Sequence, residues 1–398
     1  MQIKEVTGSV IEDSRGEETI AVKVKTAAGV FESSAPSGKS KGKYEAKSYI
    51  KNPRGDAFTI NNLSLYLQNI AFEEFLDLKK IETLANNKIG ANTLYALEAA
   101  LLKALAKENK QELWELLAEA FKTKGRMPYL VGNCIGGGLH SKGKKPDFQE
   151  FLSIPLTSVK EGIEINREAH ANALQILQNV DKKFKKEKND ENAWQTSLPN
   201  EKVLEVMDDL RENMIDEYGV KFRIGIDAAS STFYKGVNRF REYIYKNPLK
   251  IRNREKQMAY LYAIDQHYHL EYLEDPLEEE DFEGFSQLKK HLKCLIVGDD
   301  LTVTSHERLR KAIASDSISA IIIKPNQNGS LLDLKRVVDL AKQNNITLVV
   351  SHRSGETADS FIADLAVAIE AKLFKGGVLG KEREAKLSRL KEIEETIS

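Results

Sequence analysis

The feature that most constrains the fold is a regular alternation of short apolar runs with helical stretches in the carboxyl-terminal two thirds of the chain. Short apolar runs between helical patterns are typical of buried strands in an α/β fold. Seven runs are evident, at 129–131, 151–154, 222–226, 270–273, 294–297, 318–323 and 347–350. The length of this region, about 270 residues, and its alternation of strands and helices are typical of a (β/α) barrel. An open, doubly wound sheet would give much the same pattern, so periodicity alone leaves both architectures open.

The amino-terminal part of the chain follows a different pattern. Residues 18–25 alternate apolar and polar side chains, which predicts a half-buried strand, and a turn at 27–29 leads into a second strand. Apolar residues then recur at helical spacing over residues 93–121. We therefore predict two domains, an α+β domain over residues 1–126 that caps a barrel domain over residues 127–398.

Composition excludes several classes of function. Lys and Arg total 59 against 60 Asp and Glu, and this balance argues against a protein held on nucleic acid by its overall charge. The two cysteines, Cys134 and Cys294, form neither a zinc motif nor a disulfide framework. Polar residues close to Met1 exclude a signal-peptide pattern, and no apolar stretch is long enough to span a membrane. We expect a soluble, cytoplasmic protein.

A polar residue that could take part in catalysis or metal binding follows each of five predicted strands. They are Asp227, Glu274, Asp299, Lys324 and His352. If the strands are parallel and form a barrel, these side chains converge at the carboxyl end, where barrel enzymes place their active sites. Three carboxylates from three strands provide the oxygen ligands that Mg²⁺ prefers. A lysine beside such a cation has its charged form disfavoured, which suits a general base.

Six segments make the sequence similar to a known family. They are 35–46 (APSGKSKGKYEA), 225–230 (GIDAAS), 273–276 (LEDP), 297–304 (VGDDLTVT), 323–330 (IKPNQNGS) and 350–364 (VSHRSGETADSFIAD). In this order they resemble enolase, the phosphopyruvate hydratase of glycolysis. The resemblance implies an enolase-type (β/α)8-like barrel behind an α+β capping domain. It also implies Mg²⁺-dependent, reversible dehydration of 2-phosphoglycerate to phosphoenolpyruvate, with two Mg²⁺ sites. Active sites of this type combine a Lys or His base with one or two Mg²⁺ ions.

The same resemblance assigns roles to individual residues. It makes Lys324 the base that removes the proton α to the substrate carboxylate and Glu191 the acid that protonates the departing hydroxide. The remaining roles follow from the same motifs: Asp227, Glu274 and Asp299 as ligands of the first Mg²⁺, Ser40 at the second, Glu150 as the carboxylate partner of Glu191, Arg353 and Ser354 for the phosphate, Lys375 for the carboxylate, Gln149 beside Glu150 for substrate binding, and His140 and His352 as active-site histidines.

Other motifs do not carry a function. The Gly38-Lys39-Ser40 segment lacks the glycine that a phosphate-binding P-loop needs at position 33, and the glycines at 136–138 open no dinucleotide-binding helix. His267 and His269 lack a third metal ligand.

The lysine-rich stretch 181–192 has the composition of a solvated loop, although the resemblance places the general acid within it.

Several loops depart from the family pattern. The family's Ser-Gly-Ala-Ser-Thr is Ser-Gly-Lys-Ser-Lys at 37–41, its Gly-Gly after the acid is Asn192-Ala193, and its segment around 377–383 is altered and shortened. These changes admit two alternatives. One is a related dehydratase that acts on another acidic substrate, and the other is a non-catalytic paralogue with a binding role. From the resemblance we expect a homo-oligomer, as a dimer or a ring of dimers.

Overall fold

The computed structural model describes residues 1–39, 42–237 and 240–397. The amino-terminal part has a three-stranded antiparallel sheet in the order β1-β2-β3, followed by helices. Its elements are β1 (Glu5–Glu12), β2 (Glu18–Lys25), β3 (Val30–Ser34), α1 (Pro53–Leu67), α2 (Leu78–Ala85), α3 (Ala91–Glu108) and α4 (Leu113–Phe121). The predicted strand at 18–25 and the helical stretch at 93–121 are confirmed, the latter as two helices.

Helix α3 joins this part of the chain to the rest. It packs against β2 and β3 on one side and contacts the short 3-10 turn Pro325–Gln327 on another. Most of its residues are therefore buried, including the polar Asn92 and Glu98. The Asn92 side chain donates to the carbonyl of Pro36 at 3.2 Å, and its Oδ1 accepts from Asn326 at 3.1 Å. The capping part thus rests directly on loops at the mouth of the barrel.

Strands and helices alternate through the remainder of the chain. The elements are β4 (Tyr129–Gly136), β5 (Glu150–Pro155), α5 (Val159–Val180), β6 (Trp194–Gln195), α6 (Asn200–Tyr218), β7 (Phe222–Asp227), β8 (Tyr234–Val237), β9 (Phe240–Lys246), β10 (Leu249–Arg252), α7 (Arg254–Tyr268), β11 (Tyr272–Glu274), α8 (Phe282–His291), β12 (Leu295–Gly298), α9 (His306–Ala314), β13 (Ala320–Ile323), α10 (Leu331–Gln343), β14 (Thr347–Ser351), α11 (Phe361–Ala368), β15 (Leu373–Lys375) and α12 (Lys381–Ile397).

Eight of these strands close into a barrel in the order β4-β5-β7-β11-β12-β13-β14-β15, because β15 pairs with β4. The closed barrel decides between the two architectures that the periodicity left open. Seven strands run parallel, but β5 is antiparallel to both of its neighbours. The first residue of β5, Glu150, lies opposite Asp227, the last residue of β7. Reversal of this one strand therefore brings its amino-terminal end to the mouth formed by the carboxyl ends of the others.

The barrel is filled by alternate residues of its strands. Ala320 and Ile322 of β13 belong to the cluster inside the barrel, whereas Ile321 and Ile323 belong to the cluster between strands and helices. All four are buried because both faces of the strand are covered. This explains why the strands read in the sequence as continuous apolar runs and do not alternate.

Several further features were not predicted. The eighth barrel strand, β15, is only three residues long and has only two apolar residues, Leu373 and Phe374. A small antiparallel sheet in the order β10-β9-β8 follows β7, and the short β6 pairs with β4.

Among the described residues, no helix is long and apolar enough to cross a membrane. Cys134 and Cys294 are both buried as free thiols.

Candidate active site

Polar residues at the ends of the barrel strands converge on one cavity. Asp227, Glu274 and Lys375 are the last residues of β7, β11 and β15. Asp299, Lys324 and His352 come directly after β12, β13 and β14. The predicted residues that line the cavity are His140, Gln149, Glu150, Glu191, Asp227, Asp299, Lys324, His352, Arg353, Ser354 and Lys375. The structure thus brings the predicted strand-end residues together, as parallel strands of a barrel require.

The Lys375 ammonium group lies among three buried carboxylates. Its Nζ atom is 2.7 Å from Glu150 Oε2, 2.8 Å from Glu274 Oε2 and 3.3 Å from Asp227 Oδ2. Burial disfavours the charged lysine, but the three carboxylates outweigh it and raise the pKa of Lys375 well above its ordinary value. Glu274 does not line the cavity itself and joins the site through Lys375 and a hydrogen bond from the Tyr272 hydroxyl.

Lys324 forms an ion pair with Asp299. Burial lowers the pKa of Lys324, but the Asp299 carboxylate outweighs burial and raises it above its ordinary value. This direction is opposite to the one expected for a lysine beside a bound cation, because Asp299 pairs with the ammonium itself. Gln327 Nε2 also donates to Asp299, at 3.2 Å.

Glu191 lies on the other side of the cavity, between an asparagine and two histidines. Asn133 Nδ2 donates to Glu191 Oε2 at 3.0 Å, and His140 Nδ1 is 3.1 Å from Oε1. Burial opposes both charges, but Glu191 raises the pKa of His140, and His140 in turn holds the pKa of Glu191 well below its usual range. The pair therefore holds a proton between them, with the proton on His140. Burial lowers the pKa of His352 well below its ordinary value, so this ring is neutral.

The expectation that residues 181–192 form a solvated loop is wrong at several positions. Asp181 and Glu191 are both buried. Asp181 accepts hydrogen bonds from the Thr196 hydroxyl at 2.7 Å and the Ser197 amide at 2.9 Å. The lysines of the segment account for most of its exposed surface, whereas Glu191 ties it to β4 of the barrel through Asn133.

Arg353 and Ser354 follow β14 and meet the loop that precedes α1. The Arg353 guanidinium forms hydrogen bonds with both oxygens of Glu45, at 3.0 and 3.1 Å from Nη2. Ser354 Oγ accepts from the Lys39 amide at 2.9 Å. A Cβ atom at Gly38 would lie 1.9 Å from Arg353 Nη2, so a larger residue here would displace the guanidinium.

Asp227, Glu274 and Asp299 fit a magnesium site. They come from three adjacent barrel strands and provide hard oxygen donors. Asp227 and Glu274 already converge on one cation, the Lys375 ammonium. Burial and the neighbouring Asp227 raise the pKa of Glu274 to about 7, and Glu274 Oε1 finds no hydrogen-bond partner among the described residues. The raised pKa shows that Glu274 and Asp227 repel one another despite Lys375, and a divalent cation would relieve this repulsion.

A second acidic group adjoins this one. Asp275, Asp299 and Asp300 have carboxylate oxygens within 4.8 Å of one another. Asp275 accepts the amide hydrogens of Asp299 and Asp300 at 3.1 and 2.7 Å, and therefore shapes the turn after β12. Ser40, the residue expected at a second Mg²⁺, lies outside the described residues.

Sequence reasoning missed several residues of the site. Glu45, Asn133 and Asp190 contact Arg353, Glu191 and Lys39 respectively. Glu45 falls within the recognised segment 35–46, and this was the available signal. The contacts of Asn133 and Asp190 depend on pairings across more than fifty positions, for which the local sequence has no signature. His267 and His269 are exposed and belong to no metal-binding group among the residues described.

Comparisons with known proteins cover nearly the whole chain. The family model described as Enolase, C-terminal TIM barrel domain, matches residues 124–398, and the one described as Enolase, N-terminal domain, matches residues 3–117. The chain is 37% identical to the Enolase of Archaeoglobus fulgidus over 405 residues, covering 99% of this chain and 98% of that protein. It is 38% identical to the Enolase of Methanosphaera stadtmanae over 409 residues, covering 99% and 97%.

Proposed function

Because the chain belongs to the enolase family, we propose that it interconverts 2-phosphoglycerate and phosphoenolpyruvate with Lys324 as the general base and Glu191 as the general acid. The chain is accordingly a phosphopyruvate hydratase, a carbon–oxygen lyase of glycolysis. The observation that supports the mechanism most is the placement of Lys324 and Glu191 in the walls of the same cavity.

The first step is removal of the hydrogen from C2 of 2-phosphoglycerate. Lys324 Nζ accepts this proton in its neutral form, which requires that Asp299 no longer pairs with the ammonium, and the electron pair of the C–H bond moves into the substrate carboxylate. The proton is very weakly acidic, so cationic groups that meet the growing negative charge lower the barrier. Lys375 is buried beside the cavity and supplies one such charge.

The second step is loss of the hydroxyl group from C3. The C3–O bond breaks as the double bond between C2 and C3 forms, and the departing hydroxide takes a proton from Glu191 to leave as water. Glu191 first obtains this proton from His140, whose Nδ1 lies 3.1 Å from Glu191 Oε1. Glu150 lies close to both groups, with a ligand atom within 4.8 Å of theirs. Burial raises the pKa of Glu150 well above its ordinary value although Lys375 opposes this shift.

Asp227, Glu274 and Asp299 would hold one Mg²⁺, and Ser40 would approach a second one that arrives with the substrate. Bound there, magnesium supplies a positive charge that stabilises the doubly charged carboxylate of the intermediate. Arg353 and Ser354 orient the phosphate, since the guanidinium can donate two parallel hydrogen bonds to a pair of phosphate oxygens. Gln149 Nε2 donates to Asp227 at 3.2 Å and holds that carboxylate in the wall of the cavity where the substrate would bind. His352 is neutral and adds no charge beside Glu191.

Other features of the proposal rest on the family alone. We expect cytoplasmic localisation, a homo-oligomer and a domain boundary near residue 126. The altered loops over the cavity make the efficiency of the reaction a separate question from its identity, because loop closure limits turnover in many enzymes.

The test is to follow the ultraviolet absorbance of phosphoenolpyruvate when the purified protein receives 2-phosphoglycerate and Mg²⁺. We expect product formation that stops on addition of a chelator and resumes with excess Mg²⁺. A parallel assay uses the hydroxy acid that lacks the phosphate. Arg353 and Ser354 have no phosphate to bind in this compound, so we expect it to be the poorer substrate. Turnover of that compound alone, or of neither compound with Mg²⁺ bound, would overturn the proposal.

A further inference from the structure

His170 is a buried histidine that the proposed reaction does not use. It lies on α5, outside the cavity, and is 3% exposed. Its Nε2 atom is 2.8 Å from the backbone carbonyl oxygen of Asn192, the residue after Glu191. The ring also stacks on Trp194, with ring centres 4.8 Å apart. Trp194 in turn donates its indole N–H to the His170 carbonyl at 2.8 Å. One residue of α5 therefore holds two residues of the loop that carries Glu191.

The loop backbone is fixed on the other side by asparagines. Asn189 Oδ1 accepts the amide hydrogens of Glu191 and Ala193, at 2.9 and 3.0 Å. Asn192 has a left-handed backbone with φ of 65°, which asparagine adopts more readily than most residues. Its Nδ2 donates to the Leu379 carbonyl at 3.1 Å. The backbone on both sides of Glu191 is thus set by side-chain hydrogen bonds, since the loop forms only a two-residue strand, β6.

The position of this backbone decides where the Glu191 carboxylate lies. That carboxylate has to be near His140 and Asn133 and also within reach of the substrate hydroxyl. A displacement of about 1 Å at a reacting group costs on the order of a hundredfold in rate. We propose that His170 and Asn192 form a clamp, here called the His170–Asn192 clamp, that positions Glu191 for proton transfer to the departing hydroxide. This inference rests on the proposed function.

The charge state of His170 agrees with this role. Burial, with a smaller contribution from the nearby Lys188, lowers its pKa to about 4 although the hydrogen bond to Asn192 opposes this shift. The ring is neutral at ordinary pH, and a neutral ring with its hydrogen on Nε2 donates to the Asn192 carbonyl. The clamp is therefore a positioning device and exchanges no proton with the substrate.

The experiment separates the two steps of the reaction. In deuterated water, removal of the C2 hydrogen without loss of hydroxide is seen by nuclear magnetic resonance as exchange of that hydrogen in 2-phosphoglycerate. Formation of phosphoenolpyruvate reports both steps. A His170→Leu variant should form phosphoenolpyruvate about tenfold more slowly, with KM changed less than about twofold. Its C2 exchange should continue, so the ratio of exchange to product formation should rise.

Two further variants keep the test decisive. His170→Gln retains an N–H donor and should recover part of the lost rate. Asn192→Ala disturbs the clamp from the loop side, because alanine disfavours the left-handed backbone, and it should raise the same ratio even where His170→Leu does not fold. The exposed His267, changed to Leu, is the matched control and should leave both rates unchanged.

Equal loss of exchange and product formation in the His170 and Asn192 variants would overturn the clamp, and so would no loss in either. The unaltered protein distinguishes this failure from failure of the proposed function. If it shows neither exchange nor product, the function is wrong. If it shows both and the variants keep the ratio, only the clamp is wrong.

Discussion

The floor of the cavity and the loops that cover it are built in different ways. On the floor, Asp227, Lys324 and Lys375 end or follow barrel strands, so the backbone ladder of the barrel sets their positions. In the covering loops, Lys39 and Glu191 are placed by contacts between side chains from distant parts of the chain. The floor is thus determined by the fold, and the covering loops are determined by a few side-chain contacts, one of them made by Lys39, which differs from the family pattern.

The largest expected effect is on the floor. Lys324→Ala removes the proposed base, and both C2 exchange and product formation should fall about a thousandfold. Coupled measurement of both rates checks this, with Lys293→Ala as the control, since Lys293 is an exposed lysine near a strand of the same barrel. If exchange persisted in Lys324→Ala, another group would have to remove the proton and the floor would lose its assigned role.

A second change on the floor tests the fit to magnesium. Lys375→Met removes the only ammonium within contact of Glu150, Asp227 and Glu274 in the described part of the chain. Loss of one partner from a buried charge cluster should lower the free energy of unfolding by about 3–5 kcal/mol.

Thermal unfolding with and without Mg²⁺ measures this effect. Because the unbalanced carboxylates then need a cation more, Mg²⁺ should raise the melting temperature more in Lys375→Met than in the unaltered protein. An equal or smaller shift in the variant would argue against a magnesium site at these carboxylates.

We expect the stability of the protein to depend on pH through His170, which contacts the covering loop at Asn192. Its pKa is about 4 in the folded protein, and an unfolded histidine has a pKa near 6.5. Below the unfolded value, the unfolded chain binds a proton that the folded chain does not, so stability is lost as the pH falls from about 6.5 towards 4. At pH 5 the loss is about 2 kcal/mol relative to pH 7.

Denaturant unfolding of the protein and of His170→Gln at both pH values isolates this contribution. The difference in stability between the two proteins should shift by that amount in favour of the variant at pH 5. A pH-independent difference would show that folding leaves the pKa of His170 unchanged.

The smallest effect concerns the ion pair between the two covering loops. Lys39 Nζ is 2.9 Å from Asp190 Oδ2, and the lysine is 40% exposed. Exposed pairs contribute at most about 1 kcal/mol, so Lys39→Ala or Asp190→Asn should lower kcat/KM by roughly two- to fivefold. The loss should shrink at high salt because salt screens the pair.

A double-mutant cycle is the decisive form of this measurement. If the pair joins the loops, the double variant should be no worse than the poorer single variant. Lys142→Ala, which removes another exposed lysine near the mouth, controls for general loss of positive charge. Fully additive losses would mean that the two residues act independently.

The same contrast explains how far the sequence could lead. The strand-end residues were predictable because apolar runs mark the strands and recognised segments mark Lys324 and Arg353. An apolar run does not show in which direction its strand crosses the barrel, however. The sequence therefore could not reveal that β5 runs antiparallel and brings Glu150 to the mouth. The apolar pair at 373–374 was too short a signal for β15. The pairings of Arg353 with Glu45 and of Lys39 with Asp190 join positions that only the folded chain brings together.

The most direct test of the account compares Lys324→Ala with Glu191→Gln in deuterated water. We predict that Lys324→Ala loses both C2 exchange and phosphoenolpyruvate formation. Glu191→Gln should retain exchange and lose product formation by at least about a hundredfold. This outcome would assign proton removal to the floor and hydroxide loss to the covering loop. If Glu191→Gln lost exchange while Lys324→Ala retained it, the two roles would be reversed and the account would be wrong.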